Sequence, residues 1–241
     1  MSIIIGTSGW TYKHWFDGVF YPSDLPKNEA FNYYQSKFDT VELNVTYYRL
    51  LPLKTFEHWR VSSKNDFVFS IKGSRYIVLN KKLGNPEQAL ERFFTRSEGL
   101  KEKAGPVLWQ LPPNFKADEG RLENFLSLLP GSYRHAFEFR NESWFNEKTY
   151  SILKRKKAAL VIADSPKWPQ AEEITADFIY IRFHGGRMLY SSEYTSQEIS
   201  DWAKKIKRWH EEGKDVYAYF NNDYMGYAPK NALELKKIVG S

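Results

Sequence analysis

The sequence predicts an α/β fold, a single (β/α)8 barrel of the TIM type that spans residues 1–241. The chain of 241 residues is close to the length of about 250 that is typical of this fold. Short apolar runs recur along the chain, and each is followed by a polar turn and then by a stretch with helical spacing, which indicates parallel β/α units. No linker rich in Gly, Ser or Pro divides the chain, so we expect one domain.

Eight apolar runs are strand candidates, which is the number that a closed β/α barrel requires. They are short, and they are separated by turns as buried parallel strands are. The predicted strands are Ile3 to Gly6, Thr40 to Glu42, Phe67 to Ile71, Val107 to Gln110, His135 to Phe139, Leu160 to Ala163, Phe178 to Phe183 and Val216 to Phe220.

Helical spacing fills seven of the eight gaps. Two helices have clear start signals: Asn85 precedes Pro86 at a first helical position, and Ser196 is followed by Glu198 in the first turn. The gap from Asp164 to Asp177 is short and contains proline, so we expect an irregular connection between the sixth and seventh strands. The predicted helices are Glu29 to Lys37, Leu53 to Val61, Pro86 to Lys103, Gly120 to Leu129, Glu147 to Lys157, Ser196 to Glu212 and Asn231 to Val239.

A doubly wound open sheet is the alternative fold, because it shares the alternation of strands and helices. Its dinucleotide-binding form carries a G-x-G-x-x-G fingerprint after the first strand, and Gly6-Thr-Ser-Gly9 does not match that pattern. No P-loop lysine pattern follows either. The barrel is therefore the favoured fold.

Composition limits the classes of function. The chain has 35 Lys and Arg against 29 Asp and Glu, a net charge of +6, and its basic runs fall in predicted outer helices, where such residues are usually solvated. The absence of cysteine excludes disulfides, thiolate nucleophiles and cysteine-ligated metals, and it is typical of a reducing compartment, so we expect a cytoplasmic protein. Neither a signal peptide nor a stretch of about 20 apolar residues is present, so we expect no membrane partner.

Polar side chains follow nearly every predicted strand. In a parallel barrel these positions converge on one face, where reacting groups are held. Packing so many polar groups together is unfavourable unless they pair with one another or meet a ligand. A ligand site is the favoured interpretation, and a closed network such as Glu42 with Lys72 or Glu138 with Arg140 is the alternative. The strand-end residues are Ser8, Trp10, Tyr12, Glu42, Asn44, Lys72, Gln110, Glu138, Arg140, Asp164, Arg182, His184, Asn221, Asn222 and Asp223.

Short motifs occur in a fixed order through most of the chain, several of them at these strand ends. They are Gly6-Thr-Ser-Gly-Trp10 with Tyr12, Phe20-Tyr-Pro22, Val41-Glu-Leu-Asn44 with Thr46 and Tyr47, Phe69-Ser-Ile-Lys72, Gly105-Pro-Val-Leu108, Gln110-Leu-Pro-Pro113, Phe137-Glu-Phe-Arg140 with Ser143-Trp144, Ala163-Asp-Ser-Pro166, Tyr180-Ile-Arg-Phe-His-Gly185 and Tyr219-Phe-Asn-Asn222 with Ala228-Pro229 and Asn231-Ala232. In this order they resemble the YecE-like family, also called domain of unknown function 72.

The resemblance implies a β/α barrel independently of the strand count, but it implies no settled reaction. Barrels of this family are similar to those of metal-dependent sugar isomerases and abasic-site endonucleases, which makes nuclease activity one hypothesis. The sequence departs from the family pattern after Lys72, where Arg75-Tyr-Ile-Val78 replaces a more usual Ile-Thr-His. The resemblance therefore implies no role for a histidine there.

The charged strand-end residues favour an enzyme that acts on a small anionic or sugar-like substrate by carboxylate acid–base chemistry, with hydrolase and isomerase or lyase reactions both open. Lys72 is the candidate for a Schiff base, although an ion pair is its more ordinary role. The expected catalytic residues are Glu42 and Glu138 as acid and base, Asp164 and His184 for orientation or proton exchange, and Lys72. Lys72 also joins Arg140 and Arg182 in holding the anion. Hydrogen-bonding groups are expected from Asn44, Gln110, Asn221 and Asn222, and stacking rings from Trp10, Tyr12, Tyr47 and Trp144.

The sequence requires no cofactor and leaves three alternatives open. One is a Mg²⁺ or Mn²⁺ site of Glu42, Glu138, Asp164 and His184, since these metals prefer oxygen ligands. Another is a nucleic-acid-binding or metal-dependent nuclease-like protein, based on the basic balance and the many aromatic residues. The third is a protein that binds a small molecule without catalysis. The oligomeric state is open.

Overall fold

The computed structural model describes residues 1–240. Its eight strands are parallel and close into a barrel in chain order, so the predicted fold class is confirmed. All eight predicted strands are present, and the largest difference is at the fourth, which begins at Ala104 rather than at Val107. The strands are β1 Ile3–Thr7, β2 Thr40–Leu43, β3 Val68–Lys72, β4 Ala104–Gln110, β5 His135–Glu138, β6 Ala159–Asp164, β7 Phe178–Phe183 and β8 Asp215–Phe220.

The α-helices lie in the gaps that the periodicity predicted, with one addition, and a π-helical turn, Tyr76–Asn80, follows β3. The extra helix, α2, is a single turn of Val45–Tyr48 directly after β2. The helices are α1 Ala30–Lys37, α2 Val45–Tyr48, α3 Leu53–Ser62, α4 Glu87–Ser97, α5 Glu119–Leu128, α6 Glu147–Arg155, α7 Ser196–Glu211 and α8 Tyr227–Val239. No helix within residues 1–240 is both long enough and apolar enough to cross a membrane.

Three local predictions about helices were wrong. The stretch from Pro86 to Lys103 is not one helix: a 3₁₀ segment follows α4, with Lys101 at φ +48°. Asn85 does not cap α4, because its backbone is left-handed, with φ +43°. At α7 the cap is Thr195 and not Ser196; Thr195 and Glu198 accept from each other's backbone N–H groups in a capping box.

The connection from β6 to β7 is irregular, as predicted, and has no helix in this part of the described chain. A hydroxyl group takes part in the backbone hydrogen bonding there. Thr175 Oγ1 donates to the carbonyl oxygen of Ala158 at 2.6 Å and accepts from the backbone N–H of Leu160 at 2.8 Å. The start of β6 is therefore tied to the irregular segment through one buried side chain.

The chain forms two compact units. The first unit contains Met1–Glu42, Ile162–Gln170 and the chain from Asp177 onward, and the second contains Leu43–Val161 and Ala171–Ala176. In the first unit β1 pairs with β2 and β8, and β7 pairs with β8. In the second unit β4 pairs with β3 and β5, and β5 pairs with the start of β6.

Packing against the helices fixes which strand residues of the second unit point inward. Trp109 and Phe137 both pack on Phe125 of α5, with ring centroids 5.0 and 6.2 Å apart. Because successive side chains of a strand point to opposite faces, the next residues, Gln110 and Glu138, face the barrel interior. They are register partners at the ends of β4 and β5.

His135 is a buried neutral histidine at the start of β5. Its Nδ1 accepts from the indole N–H of Trp109 at 3.2 Å, and its Nε2 lies 3.1 Å from the carbonyl oxygen of Pro130. Burial lowers the pKa of His135 to about 4, while the contact with Pro130 acts in the opposite direction. A protonated Nδ1 would lose the bond from Trp109, so this position is structural.

Gly6 provides a test of strand packing in the first unit. A Cβ at this position would lie 2.5 Å from the carbonyl oxygen of Thr40 and 2.9 Å from its Cγ2. We expect Gly6→Ala to reduce the free energy of unfolding by about 1–3 kcal/mol in urea denaturation, because neighbouring backbone must shift. The control is Gly131→Ala, since a Cβ there meets nothing within 4 Å. Equal stability of the two variants would contradict the packing described.

The low pKa of His135 predicts a loss of stability in acid. The unfolded histidine takes up a proton near its ordinary pKa of 6.5 and the folded one only near 4, so the unfolded state binds more protons between these values. Lowering the pH from 6.5 to 4.5 should therefore remove about 2–3 kcal/mol of the free energy of unfolding through this group. Urea denaturation of the protein and of His135→Gln at both pH values measures the difference, and equal acid losses would refute the assignment.

Candidate functional site

Glu42, on β2 in the first unit, is fully buried and accepts four hydrogen bonds. Arg182 donates from Nε to Oε1 at 2.9 Å and from Nη2 to Oε2 at 2.7 Å. Tyr180 donates its hydroxyl to Oε1 at 2.9 Å, and Ser8 donates Oγ to Oε2 at 2.6 Å. The side chains of Glu42 and Arg182 are both 0 % exposed. The carboxylate is thus held in a forked ion pair with two further donors.

Neighbouring residues on β7 explain how Arg182 reaches Glu42. Phe183 packs edge-on against Trp202 of α7 at 5.1 Å, so Arg182 faces the opposite side of the strand. Burial, followed by the charge of Glu42, raises the pKa of Tyr180 well above its ordinary value, which keeps the phenol a neutral donor. The network alternative is therefore realised at Glu42, although with Arg182 and not with the Lys72 of the sequence-based example. A completed buried pair does not suit the exposed acid–base and anion-holding roles predicted for Glu42 and Arg182.

Asp164, at the end of β6, faces the helix layer. Its Oδ2 accepts from the indole N–H of Trp202 at 3.0 Å. Burial raises the pKa of Asp164, and hydrogen bonds from Tyr194 and Trp202 act against the increase. Its contact with His184 is through the backbone, because the N–H of His184 donates to the carbonyl oxygen of Asp164 at 2.8 Å. Orientation or proton exchange was predicted for both residues, and a main-chain hydrogen bond joins them at this strand end.

The remaining predicted residues of the first unit mainly support loops. His184 is buried with Nδ1 3.2 Å from Nδ2 of Asn221. Asn222 is buried and donates Nδ2 to the oxygens of Ser192 and Asn231, each at 3.0 Å. Trp10 is partly buried against Phe31, with ring centroids 5.2 Å apart, and Tyr12 donates its hydroxyl to the carbonyl oxygen of Ser8.

In the second unit, Glu138 and Arg140 form the pair that the sequence proposed as an alternative. Arg140 Nε donates to Oε1 of Glu138 at 2.7 Å. Glu138 is fully buried, whereas the side chain of Arg140 is 11 % exposed. The carboxylate therefore fixes the direction of a guanidinium group that reaches the surface.

Lys72 and Tyr47 lie together in the same unit. Lys72 Nζ stands over the ring of Tyr47, 4.6 Å from its centroid. Thr46 Oγ1 lies 2.7 Å from the carbonyl oxygen of Lys72, so the α2 turn is attached to the end of β3. The short helix α2, which the sequence did not predict, therefore positions Tyr47 beside the ammonium group of Lys72.

Two arginines also act on Tyr47. Burial raises its pKa first, followed by the neighbouring Tyr48, while the charges of Arg75 and Arg140 act to lower it. Lys72 thus stands over the ring of Tyr47, and the charges of Arg75 and Arg140 both act on its hydroxyl group. Sequence reasoning gave Arg75 no role and saw it only as part of the segment that departs from the family pattern.

Three other predicted residues of the second unit differ in their surroundings. Trp144 is fully buried, donates Nε1 to the carbonyl oxygen of Phe115 at 2.7 Å and stacks on Phe139 at 4.7 Å. This ring is core and is not available for the stacking role predicted for it. Gln110 ends β4 with 8 % exposure, and Asn44 immediately precedes α2.

Within residues 1–240 no three His, Asp or Glu side chains are arranged so that they could hold a metal ion. The predicted ligands have other contacts. Glu42 is bound by Arg182, Glu138 by Arg140 and Asp164 by Trp202. The Mg²⁺ or Mn²⁺ site of the sequence analysis is therefore not assembled from these residues.

A family model described as "Protein of unknown function DUF72" matches residues 4–241, nearly the whole chain. The chain belongs to the DUF72 family. This confirms the resemblance seen in the ordered motifs, since YecE-like is another name for the family.

Similar proteins cover this DUF72 chain from end to end. The UPF0759 protein YunF of Bacillus subtilis is 26% identical over 270 residues, which cover 98% of this chain and 94% of that protein. A crystal structure of a DUF72 protein from Thermotoga maritima is 30% identical, with a TM-score of 0.89 and full coverage of both chains. One from Enterococcus faecalis, 22% identical with a TM-score of 0.85 over 99% of this chain and 96% of that one, shares the fold. These similarities establish the family and the barrel.

The buried pair makes a testable contribution to stability. Arg182→Met leaves the carboxylate of Glu42 buried without its guanidinium, and we expect a loss of about 3–5 kcal/mol in the free energy of unfolding. Adding Glu42→Gln should restore part of this loss, because the uncompensated charge is removed. Lys204→Ala, which breaks an exposed pair with Asp201, is the control and should change little. A loss at Arg182 as small as that of the control would contradict the buried pair.

Proposed function

We propose that this DUF72 protein binds a small compound with a carboxylate or phosphate group at the carboxyl ends of β3 to β5 and converts it by acid–base chemistry. The observation that supports the proposal is that three cations act on Tyr47: Lys72 stands over its ring, and the charges of Arg75 and Arg140 act on its hydroxyl group. We call this set, with Tyr47 and Glu138, the anion site. Charge-assisted hydrogen bonds from lysine and arginine are the strongest contacts that a protein offers to such groups.

Each cation of the anion site has a distinct part in the proposal. Arg140 is oriented by Glu138, so its planar group is preorganised for a forked contact with an anion. Lys72, 8 % exposed and placed over the ring of Tyr47, supplies a compact positive charge. Arg75 is exposed and lies at the start of the π-helical turn Tyr76–Asn80 after β3, where it can approach a ligand from the solvent side.

Tyr47 and Glu138 supply the groups that exchange or share protons. The raised pKa of Tyr47 keeps its hydroxyl protonated at neutral pH, so it donates to a bound anion. Glu138 lies beside the group that would hold the anion, because its Oε1 is 2.7 Å from Nε of Arg140. In this proposal Glu138 first positions Arg140 and then exchanges a proton with the bound compound. Sugar phosphates and hydroxy acids carry both the anion and the exchangeable proton.

A nucleic-acid ligand is the second candidate, and one loop favours it. The loop after β3 carries Arg75, Lys81 and Lys82 with no acidic residue from 73 to 86. Tyr76 is 52 % exposed there, and Lys81 Nζ lies 5.6 Å from its ring centroid. Exposed rings among basic residues are typical of surfaces that bind single strands. A small anion and a strand of nucleic acid differ in the salt dependence of their binding.

Isothermal titration with a panel of sugar phosphates, dicarboxylates and inorganic phosphate tests the proposal. We expect one or more of these probes to bind, with affinity reduced about tenfold or more in Arg75→Ala, which corresponds to about 1.4 kcal/mol, and in Arg140→Met. Tyr47→Phe should weaken binding by a smaller factor, because it removes one neutral donor. NMR of the mixture measures whether a bound probe is converted to product, and we expect Glu138→Gln to abolish this conversion.

Arg96→Ala is the matched control, because Arg96 is an exposed cation on α4 that is not part of the anion site. Its affinity should equal that of the unmodified protein. The proposal fails if no probe binds, or if Arg75→Ala binds as tightly as Arg96→Ala. Binding of an oligothymidylate alone, with an affinity that falls steeply with salt, would support the nucleic-acid candidate instead.

A further inference from the structure

His14 and Asp223 form a paired imidazole and carboxyl group in the first unit. His14 lies in the 3₁₀ turn Lys13–Trp15 after β1, and Asp223 directly precedes the turn Tyr224–Gly226 after β8. Nε2 of His14 is 2.7 Å from the carbonyl oxygen of Asp223 and 3.0 Å from its Oδ2. One ring nitrogen is thus directed at two oxygens of a single residue.

These contacts select one tautomer of the imidazole. A carbonyl oxygen can only accept, so the proton of neutral His14 lies on Nε2. The lone pair is then on Nδ1, which makes no hydrogen bond to any of residues 1–240. The side chain of His14 is 45 % exposed, so solvent and solutes can reach this ring. The pair therefore presents a basic nitrogen at the surface.

Asp223 is in a less solvated environment than His14. Its Oδ1 accepts from the indole N–H of the fully buried Trp15 at 2.5 Å, and its side chain is only 14 % exposed. Burial raises the pKa of Asp223 to about 6, with the bond from Trp15 and the charge of His14 acting to lower it. Apart from the contact with Nε2 of His14 at 3.0 Å, Oδ2 has no hydrogen-bond partner among the described residues, so the imidazole is the group that offsets the burial of this oxygen.

The arrangement keeps the ring in place while Nδ1 takes part in proton transfer. Nε2 retains its proton and its contact with the carbonyl oxygen of Asp223, and the carboxylate of Asp223 lies 3.0 Å from Nε2 as a counter-charge. The ring of Tyr12 is also near His14, with its centroid 5.8 Å from that of the imidazole. The same logic, with a buried carboxylate that orients an exposed imidazole, serves many enzymes that activate oxygen nucleophiles.

We infer that His14 and Asp223 form a proton-transfer site in which Nδ1 of His14 accepts a proton from water or from a hydroxyl group of a bound substrate. The site uses no residue of the anion site, so it stands independently of the proposed function. Asp223 is a positioning residue here, and Trp15 holds its carboxylate in place. The substrate class is an acyl compound attacked by water, or an alcohol that gives up its hydroxyl proton.

p-Nitrophenyl acetate serves as the probe for this chemistry. Water gives its proton to Nδ1, its oxygen forms a bond to the acyl carbon, and the bond to p-nitrophenolate breaks with the electron pair on the leaving oxygen. Acetate and p-nitrophenolate are the products, and the proton passes from His14 to solvent. We expect the protein to catalyse this hydrolysis, with a loss of at least about tenfold in rate in His14→Gln and in Asp223→Asn. His58→Gln, which changes an exposed histidine of α3, should retain the full rate.

A second measurement reads the tautomer directly. Nitrogen-15 NMR of imidazole-labelled protein should show the proton of His14 on Nε2, and Asp223→Asn should keep it there, because the backbone carbonyl oxygen of residue 223 is unchanged. Carbethoxylation by diethylpyrocarbonate, followed by mass spectrometry, should modify His14 faster than His58. The inference is overturned if the proton lies on Nδ1, or if hydrolysis is the same in His14→Gln and in the unmodified protein. A pair that only holds two loops together would lower the melting temperature of His14→Gln and leave its rate of hydrolysis equal to that of the unmodified protein.

Discussion

The carboxylate of Glu42 imposes the strongest constraint on the first unit, because an ionised group without exposure is tolerated only where its donors are complete. Those donors come from the end of β1 and from two positions of β7. A slip of β7 by one residue would turn Arg182 toward α7 and leave the negative charge buried alone. The relative positions of these strands are therefore specified by charge as well as by apolar packing, and much of what is polar at this end of the strands serves architecture.

The fold was predictable because its signals are local. Parallel strands buried on both faces are continuous apolar runs, and all eight were found, with helices at the expected spacing. The pairing of Glu42 with Arg182 was not predictable, since 140 residues separate them and either Lys72 or Arg140 is an equally plausible cation from sequence. Local backbone also escaped detection where a residue adopts an unusual conformation, as Asn85 does with its positive φ. Asparagine tolerates that conformation and caps helices equally well, so its identity alone did not decide between them.

The sequence predicted which residues lie at the strand ends, but it did not predict the direction in which each side chain points. Being at a strand end does not say whether a side chain faces the interior or the helices, and a difference of one residue reverses the answer. Asp164 faces Trp202 on α7, whereas Arg182 points away from that helix. Trp144 is buried in the core, where it stacks on Phe139 and donates a hydrogen bond to the carbonyl oxygen of Phe115. Conversely, Arg75 and the His14–Asp223 pair lie in turns, where sequence periodicity gives no signal.

The dependence of β6 on the hydroxyl of Thr175 makes the start of this strand easier to unfold locally than the rest of the barrel. Other strands are followed by a helix that packs on them. At the start of β6, the side chain of Thr175 instead makes hydrogen bonds to the backbone of Ala158 and Leu160. An irregular segment opens at lower free energy than a packed helix, because few apolar contacts hold it. When this segment lifts, the amide of Leu160 loses its acceptor and becomes available to solvent. Hydrogen exchange in the barrel would then begin at this strand, although the closed sheet has no edge strand.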